Sequence, residues 1–143
     1  MDTICTPEVV GPWVCEKAGG TWSAGRGTAI GRLENGKLTA GVLYEDYNGA
    51  NILCHIRVDK PLNKHFLGLI FQYPFIQLKV NRITGIVPSC NWKALAFDQK
   101  LGFELEHVIK NAHPKGDLCI LGMTKEKCRY LDSKYGDFFV KFR

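Results

Sequence analysis

The stretch RITGIVPSCNWKALAFDQKLGF, residues 82–103, decides the architecture. Its first seven residues are rich in β-branched and apolar side chains and close on a proline, which predicts a short strand over 82–88. Asn91 then stands where an N-cap side chain takes up the free N–H groups of a helix, and Gly102 suits the left-handed cap at its other end. A strand followed at once by a capped helix calls for a sheet with helices packed on it. Downstream, Phe103, Leu105, His107 and Ile109 alternate with Glu104, Glu106, Val108 and Lys110, so a strand is expected over 103–110 with His107 facing inward. The turn His113-Pro114-Lys115-Gly116-Asp117 returns it through a second strand over 118–124. Upstream, Phe66, Leu67, Ile70, Phe71, Phe75 and Leu78 recur at helical spacing over 62–80, with Pro74 expected to kink or end the regular helix.

Two Asn-Gly pairs, Asn35-Gly36 and Asn48-Gly49, each suit a two-residue type I′ turn and predict three antiparallel strands, about 28–34, 37–47 and 50–58. A two-residue loop also sets register, here placing Leu43 opposite Cys54 and Val42 opposite His55. One face then carries Gly41, Leu43, Ile52, Cys54, Ile56 and Val58 toward the core. The other carries Tyr44, Asp46, Asn51, His55 and Arg57 beside Val42 and Leu53, with Glu45 on the side away from His55. Thr6-Pro7 and Gly19-Gly20 bound a first helix over 7–18, on which Val10, Trp13, Val14 and Lys17 share a face. The order is helix, three strands, helix, strand, helix, two strands. With no internal repeat or linker, residues 1–143 read as one α+β domain.

Composition agrees with a packed fold: 45% of the residues are hydrophobic, and 8 Phe, 5 Tyr and 3 Trp supply the apolar area that disordered chains lack. The net charge of +5 leaves RNA or an acidic cofactor open and establishes neither. Met1-Asp2-Thr3-Ile4-Cys5 has no basic flank before an apolar run, so a secretory signal is not expected. The longest apolar stretch, 66–76, is broken by Gln72 and Pro74 and is too short for a membrane span. A cytoplasmic location follows as the expectation. The six cysteines show no Cys-x-x-Cys or Cys/His ligand spacing, so free and mostly buried thiols are expected, and no metal.

Ile83-Thr84-Gly85-Ile86-Val87, Asn91-x-x-Ala94, Lys100-Leu101-Gly102-Phe103-x-x-Glu106, Gly116-Asp117 and Met123 together resemble the second half of the GNAT acetyltransferase superfamily. The Leu-Gly-Phe-x-x-Glu run and the strand pair after it are most similar to the branch of ribosomal-protein N-terminal acetyltransferases. Trp13-Val14, Ala29-Ile30-Gly31, Ala40-Gly41-Val42 and Tyr73-Pro74-Phe75 resemble phage and prophage acetyltransferase-like proteins, whose location would be the host cytoplasm. The likeness runs over about residues 9–131. It implies a GNAT-like mixed, mostly antiparallel sheet with a splayed central parallel strand pair and helices on both faces. It also implies acetyl-coenzyme A as cofactor, its pantetheine lying as a pseudo-strand between the strand ending near Val58 and the one near Ile83. Cofactor contacts then fall to the backbone of Ile56, Arg57 and Val58, to Lys60, Asn63 and Lys64 at the following helix start, and to Asn91.

Two positions depart from the family pattern. The pyrophosphate loop of the family is Gln/Arg-x-x-Gly-x-Gly/Ala, whereas Lys60-Pro61-Leu62-Asn63-Lys64-His65-Phe66 holds no glycine, so Lys60 and Lys64 would supply charge instead, unless they are ordinary solvated lysines. Asp98 stands where many members carry a tyrosine that protonates the leaving thiolate, and a carboxyl with an ordinary pKa is ionised and a poor donor.

Acetyl transfer to an amine needs a base for the ammonium proton and a donor for the thiolate. His55 is the first candidate for the base, since imidazole ordinarily titrates near neutrality, with a structural histidine held by Tyr44 or Asp46 as the plainer role. Glu45, acting through water, is its rival. Tyr44 or Tyr47 is the candidate donor, against the commoner role of a strand aromatic. Cys90 reads as a small buried thiol rather than an acyl carrier. Residues 125–143 interleave basic and aromatic side chains, which admits nucleic acid or a homodimer contact as partner; a solvated helix followed by an edge segment is the simpler expectation. The expected function is an N-acetyltransferase acting on an amine, foremost a protein amine, without a membrane. The alternative is a non-catalytic GNAT-fold binding protein, such as a phage-type modulator of a host protein or RNA.

Overall fold

A computed structural model describes residues 2–18, 21–25 and 27–139. In chain order the elements are β1 (Asp2–Ile4), α1 (Pro7–Ala18), β2 (Gly27–Glu34), β3 (Lys37–Glu45), β4 (Asn51–Val58), α2 (Lys64–Gln72), β5 (Arg82–Pro88), α3 (Trp92–Leu101), β6 (Glu104–His113) and β7 (Gly116–Thr124). They build a seven-stranded sheet in the order β1-β2-β3-β4-β5-β7-β6. Within it β4 and β5 are parallel and every other pair is antiparallel. The expected order of elements holds, and the short β1, too brief to show a period, is added at the edge.

The first hairpin forms as its Asn-Gly pair dictates: Asn35 and Gly36 both take positive φ, and Glu34 faces Lys37. The second does not. β3 ends at Glu45 and β4 starts at Asn51, because the Asn48 side chain accepts from the N–H groups of Ala50 and Asn51 and closes a turn of its own inside a longer loop. The pairing slides by one residue, so Leu43 faces His55, Val42 faces Ile56 and Tyr44 faces Cys54. A slide of one residue exchanges the faces of β3 relative to β4. Tyr44 therefore leaves the His55 face, and Glu45 joins it, the reverse of the sequence expectation.

α1 covers the face of Leu43 and His55 with Val10 and Val14. α2 covers the other face, where Phe66, Ile70 and Phe71 pack on Ile30, Val42, Tyr44, Ile52 and Ile83, and Ala94, Leu95 and Phe97 of α3 join the same cluster. Helices thus lie on both faces. After Gln72 the helix widens into a π-helical turn over Tyr73–Gln77, with Pro74, which has no N–H to donate, in its first turn.

His107, expected to face inward, is exposed on the edge strand β6, where a register shift between Leu105 and His107 breaks the alternation. Residues 125–135 form three short 3₁₀ turns rather than a helix. Their aromatics pack inside the fold: Tyr130 stacks on Phe71 and Tyr135 meets Tyr130 edge-on. The buried Gln72 amide donates to the carbonyls of Tyr130 and Gly136 and accepts from the Phe138 N–H. All six cysteines are free; Cys54, Cys119 and Cys128 are buried, whereas Cys90, expected in the core, is exposed. No helix among the described residues is long and apolar enough to cross a membrane.

Candidate active site

β4 and β5 pair only through Asn51–Leu53 and Arg82–Thr84. Beyond that the parallel strands part, and the backbone groups of residues 54–58 on this side find no partner in β5. α3 starts directly beyond β5, its Asn91 cap accepting from the Ala94 N–H, and so walls the gap. A groove of about 350 Å³ results, lined by Ile56, Arg57, Val58 and Asp59 of β4 and its exit, by Asn91, Lys93, Ala94, Phe97 and Asp98 around α3, and by Lys17 and Ala18 at the end of α1. At the vertex of the splay it narrows into a small cleft that adds Cys54, His55, Ile86 and Val87.

His55 stands in this cleft, and its Nε2 lies 3.1 Å from Glu45 Oε1 across the β3–β4 pair. The side chains are 12% and 7% exposed. In the tautomer whose Nε2–H donates to the carboxylate, Nδ1 is the nitrogen with the open lone pair. Glu45 and His55, weighed as rivals, thus form one pair. Tyr44 is 1% exposed on the far face, donates its hydroxyl to the Ile70 carbonyl, has its pKa pushed well up by burial, and lines neither part of the groove. Tyr47 donates to the Leu78 carbonyl and lines neither part of the groove.

The side chain of Arg57 is committed to α1. Its guanidinium stacks over Trp13, donates to the Trp13 carbonyl and pairs with Glu16 and Asp59. Those carboxylates raise its pKa against the opposing desolvation, and the same contact holds Asp59 below the ordinary carboxylate range. Of the other cofactor candidates, Ile56, Val58 and Asn91 line the groove, whereas Lys60, Asn63 and Lys64 are not among its walls. Lys60 reaches to 3.7 Å from Glu34, and Asn63 caps α2 by accepting from the Phe66 N–H. Besides Arg57, the cations lining the groove are Lys17, 3.8 Å from Asp59, and Lys93, which sequence reasoning misses because neither lies in the expected phosphate loop.

Asp98 lines both the groove and the cleft. Burial raises its pKa to about 7, against the expectation of an ordinary, ionised carboxyl. The adjoining Cys54 thiol is pushed up by burial and by Asp98, and so stays protonated and unreactive. Among the described residues no group of three or more His, Cys, Asp and Glu side chains is placed to hold a metal ion.

No family model matches the sequence, and no curated protein does. Solved structures do match. Mutant forms of the spermidine/spermine N-acetyltransferase SpeG from Vibrio cholerae superpose with a TM-score of 0.69 at 11% identity over 88% of this chain and 95% of that one. A GNAT-family acetyltransferase from Bacillus anthracis gives 0.58 at 14% identity, covering 71% of this chain and 67% of that one. The Campylobacter jejuni N-acetyltransferase PseH in complex with acetyl coenzyme A gives 0.55 at 16%, covering 71% and 70%. The chain has the GNAT fold.

Proposed function

We propose that the chain is an acetyl-coenzyme A dependent N-acetyltransferase that passes the acetyl group directly to an amine. The observation that carries this is the groove opened by the parting of β4 from β5, with a carboxylate-oriented histidine at its vertex. The residues present fit the donor substrate. Unpaired strand groups over 54–58 offer a ladder for an extended amide-bearing arm, and Lys17 and Lys93 offer charge for phosphates. Acetyl-coenzyme A supplies the activated acetyl thioester. The chain supplies the rest: backbone N–H groups of residues 56–58 polarise a carbonyl laid along them, and Nδ1 of His55 takes the amine proton while Glu45 steadies the imidazolium.

The acceptor we favour is a protein amine, on the resemblance to ribosomal-protein acetyltransferases. The SpeG structures make a small polyamine the alternative acceptor to screen. Titration calorimetry with acetyl-coenzyme A is the decisive test. Micromolar binding is expected. Absence of binding at millimolar ligand overturns the proposal and leaves a GNAT fold used only for docking.

A further inference from the structure

We propose that a cavity at the C-terminal end of β3 is a second binding site, for an alkylammonium cation, whose occupancy opposes protonation of His55. The cavity holds about 340 Å³ and shares none of the groove's walls. Its sides are the rings of Tyr44, Tyr47 and Tyr73 with Ile52 and Leu78, and its charge comes from Glu45 and Asp46. No Lys, Arg or His is among the described residues that line it. The sides are tied to one another: Tyr47 donates its hydroxyl to the Leu78 carbonyl at 3.2 Å, the hydroxyls of Thr28 and Tyr73 meet at 3.2 Å, and the rings of Tyr44 and Tyr73 pack with centroids 5.1 Å apart. The π-helical turn that follows α2 carries Tyr73 into this position. Tyr47 is half exposed there, an aromatic that the core does not use.

Glu45 makes this a cation site rather than an apolar hole. Its side chain is 7% exposed and meets His55 Nε2 through Oε1. Oε2 has no hydrogen-bond partner among the described residues, yet it is not sealed off, because no fully buried side-chain oxygen or nitrogen there lacks a partner. A carboxylate so far withdrawn from water leaves that oxygen in want of a donor. An ammonium N–H supplies one, the tyrosine faces attract the same charge, and the alkyl part covers Ile52 and Leu78. The titratable groups facing Glu45 are His55 on β4, Asp46 beside it, the three phenols, and Cys15 on α1, whose thiol is raised first by burial and then by Glu45 and so stays neutral. Of these only the imidazole gains a positive charge near neutrality. Two cations thus share one carboxylate: an ammonium at Oε2 offsets the charge that steadies the imidazolium at Oε1. Coupling of this kind is reciprocal, so each cation weakens the hold on the other.

The test uses n-butylammonium chloride as the probe and n-butanol as its uncharged counterpart, read by calorimetry and by the ring-proton NMR signal that His55→Ala removes. Butylammonium is expected to bind at about millimolar concentration, and butanol not measurably. Its affinity is expected to rise about threefold between about pH 5 and pH 8, as His55 loses its proton, and saturating butylammonium to lower the midpoint of the His55 titration by about 0.5 pH unit. Glu45→Gln and Tyr47→Ala are each expected to weaken binding about fivefold or more; Tyr47 is exposed, so its replacement keeps the test readable should Glu45→Gln fail to fold. No binding at about 50 mM probe, equal binding of butanol, unchanged affinity in a folded variant, or a His55 titration that butylammonium does not move overturns the proposal. Because the cavity and the groove share no wall, failure to bind acetyl-coenzyme A would leave this site standing, and failure here would leave the acetyltransferase reading standing.

Discussion

At the scale of single residues, the pairing of His55 with Glu45 sets the chemistry. Replacing His55 by Ala is expected to lower the rate of acetyl transfer about 10²-fold, with acetyl-coenzyme A affinity kept within a few-fold, as steady-state kinetics and calorimetry would read it. An unchanged rate would return the pair to a structural role beneath α1. Tyr44 gives the opposite case. Its hydroxyl serves the Ile70 carbonyl inside the core, so Tyr44→Phe is expected to cost about 1–3 kcal/mol of stability in urea unfolding, because the acceptor is left unsatisfied. Activity per folded molecule is expected to stay as it was. Both candidates were visible in the sequence as residue types at the right end of a hairpin. What was not visible was which of them shares a face with the other, since that turns on one residue of register set by the Asn48 side chain.

At the scale of elements, the C-terminal segment shows how a local pattern misleads. Interleaved basic and aromatic residues after residue 124 read most simply as a solvated helix followed by an edge segment, yet the described part forms 3₁₀ turns, Tyr130 and Tyr135 close over α2, and Gln72 ties three backbone groups of that segment. The close approach needs Gly68 in α2, because a Cβ there would sit on the Tyr135 carbonyl. In an open helix Gly→Ala gains up to about 1 kcal/mol. Here Gly68→Ala is expected to destabilise instead, lowering the urea midpoint, since backbone rather than a flexible side chain must yield. A midpoint that rises would show that the segment does not rest on α2.

At the scale of the whole molecule, Asp98 links the groove to stability. Its folded pKa of about 7 exceeds the ordinary 3.8, so between these values the folded chain holds a proton that the unfolded chain has released. The contribution of Asp98 to stability is then largest near and below pH 4 and falls as pH rises to about 7, by up to about 4 kcal/mol. Asp98→Asn is expected to flatten this fall and to be the more stable form at pH 8, as urea unfolding at pH 5 and pH 8 would show. Acetyl-coenzyme A at about a hundred times its dissociation constant is expected to stabilise the fold by about 2.7 kcal/mol, read as a raised melting temperature. An unmoved transition at that excess would reject the groove as its site.

What the sequence determined by itself is what local chemistry decides. Asn91 and Gly102 bound a helix, Asn35-Gly36 bends a hairpin, alternation marks strands, and the run from Ile83 to Glu106 carries the family likeness. Tertiary structure alone decided which backbone and side-chain groups meet. It separated β4 from β5 to open the groove, slid one hairpin so that Glu45 met His55, drew Arg57 into α1, and placed Lys17, Lys93 and Asp98 around a gap that no short spacing joins. The physical reason is that caps, turns and periodicity act over a few residues. Register, burial and the proton affinity that burial confers depend on neighbours distant in the chain, from Asn48 at a loop to Asp98 across the splay.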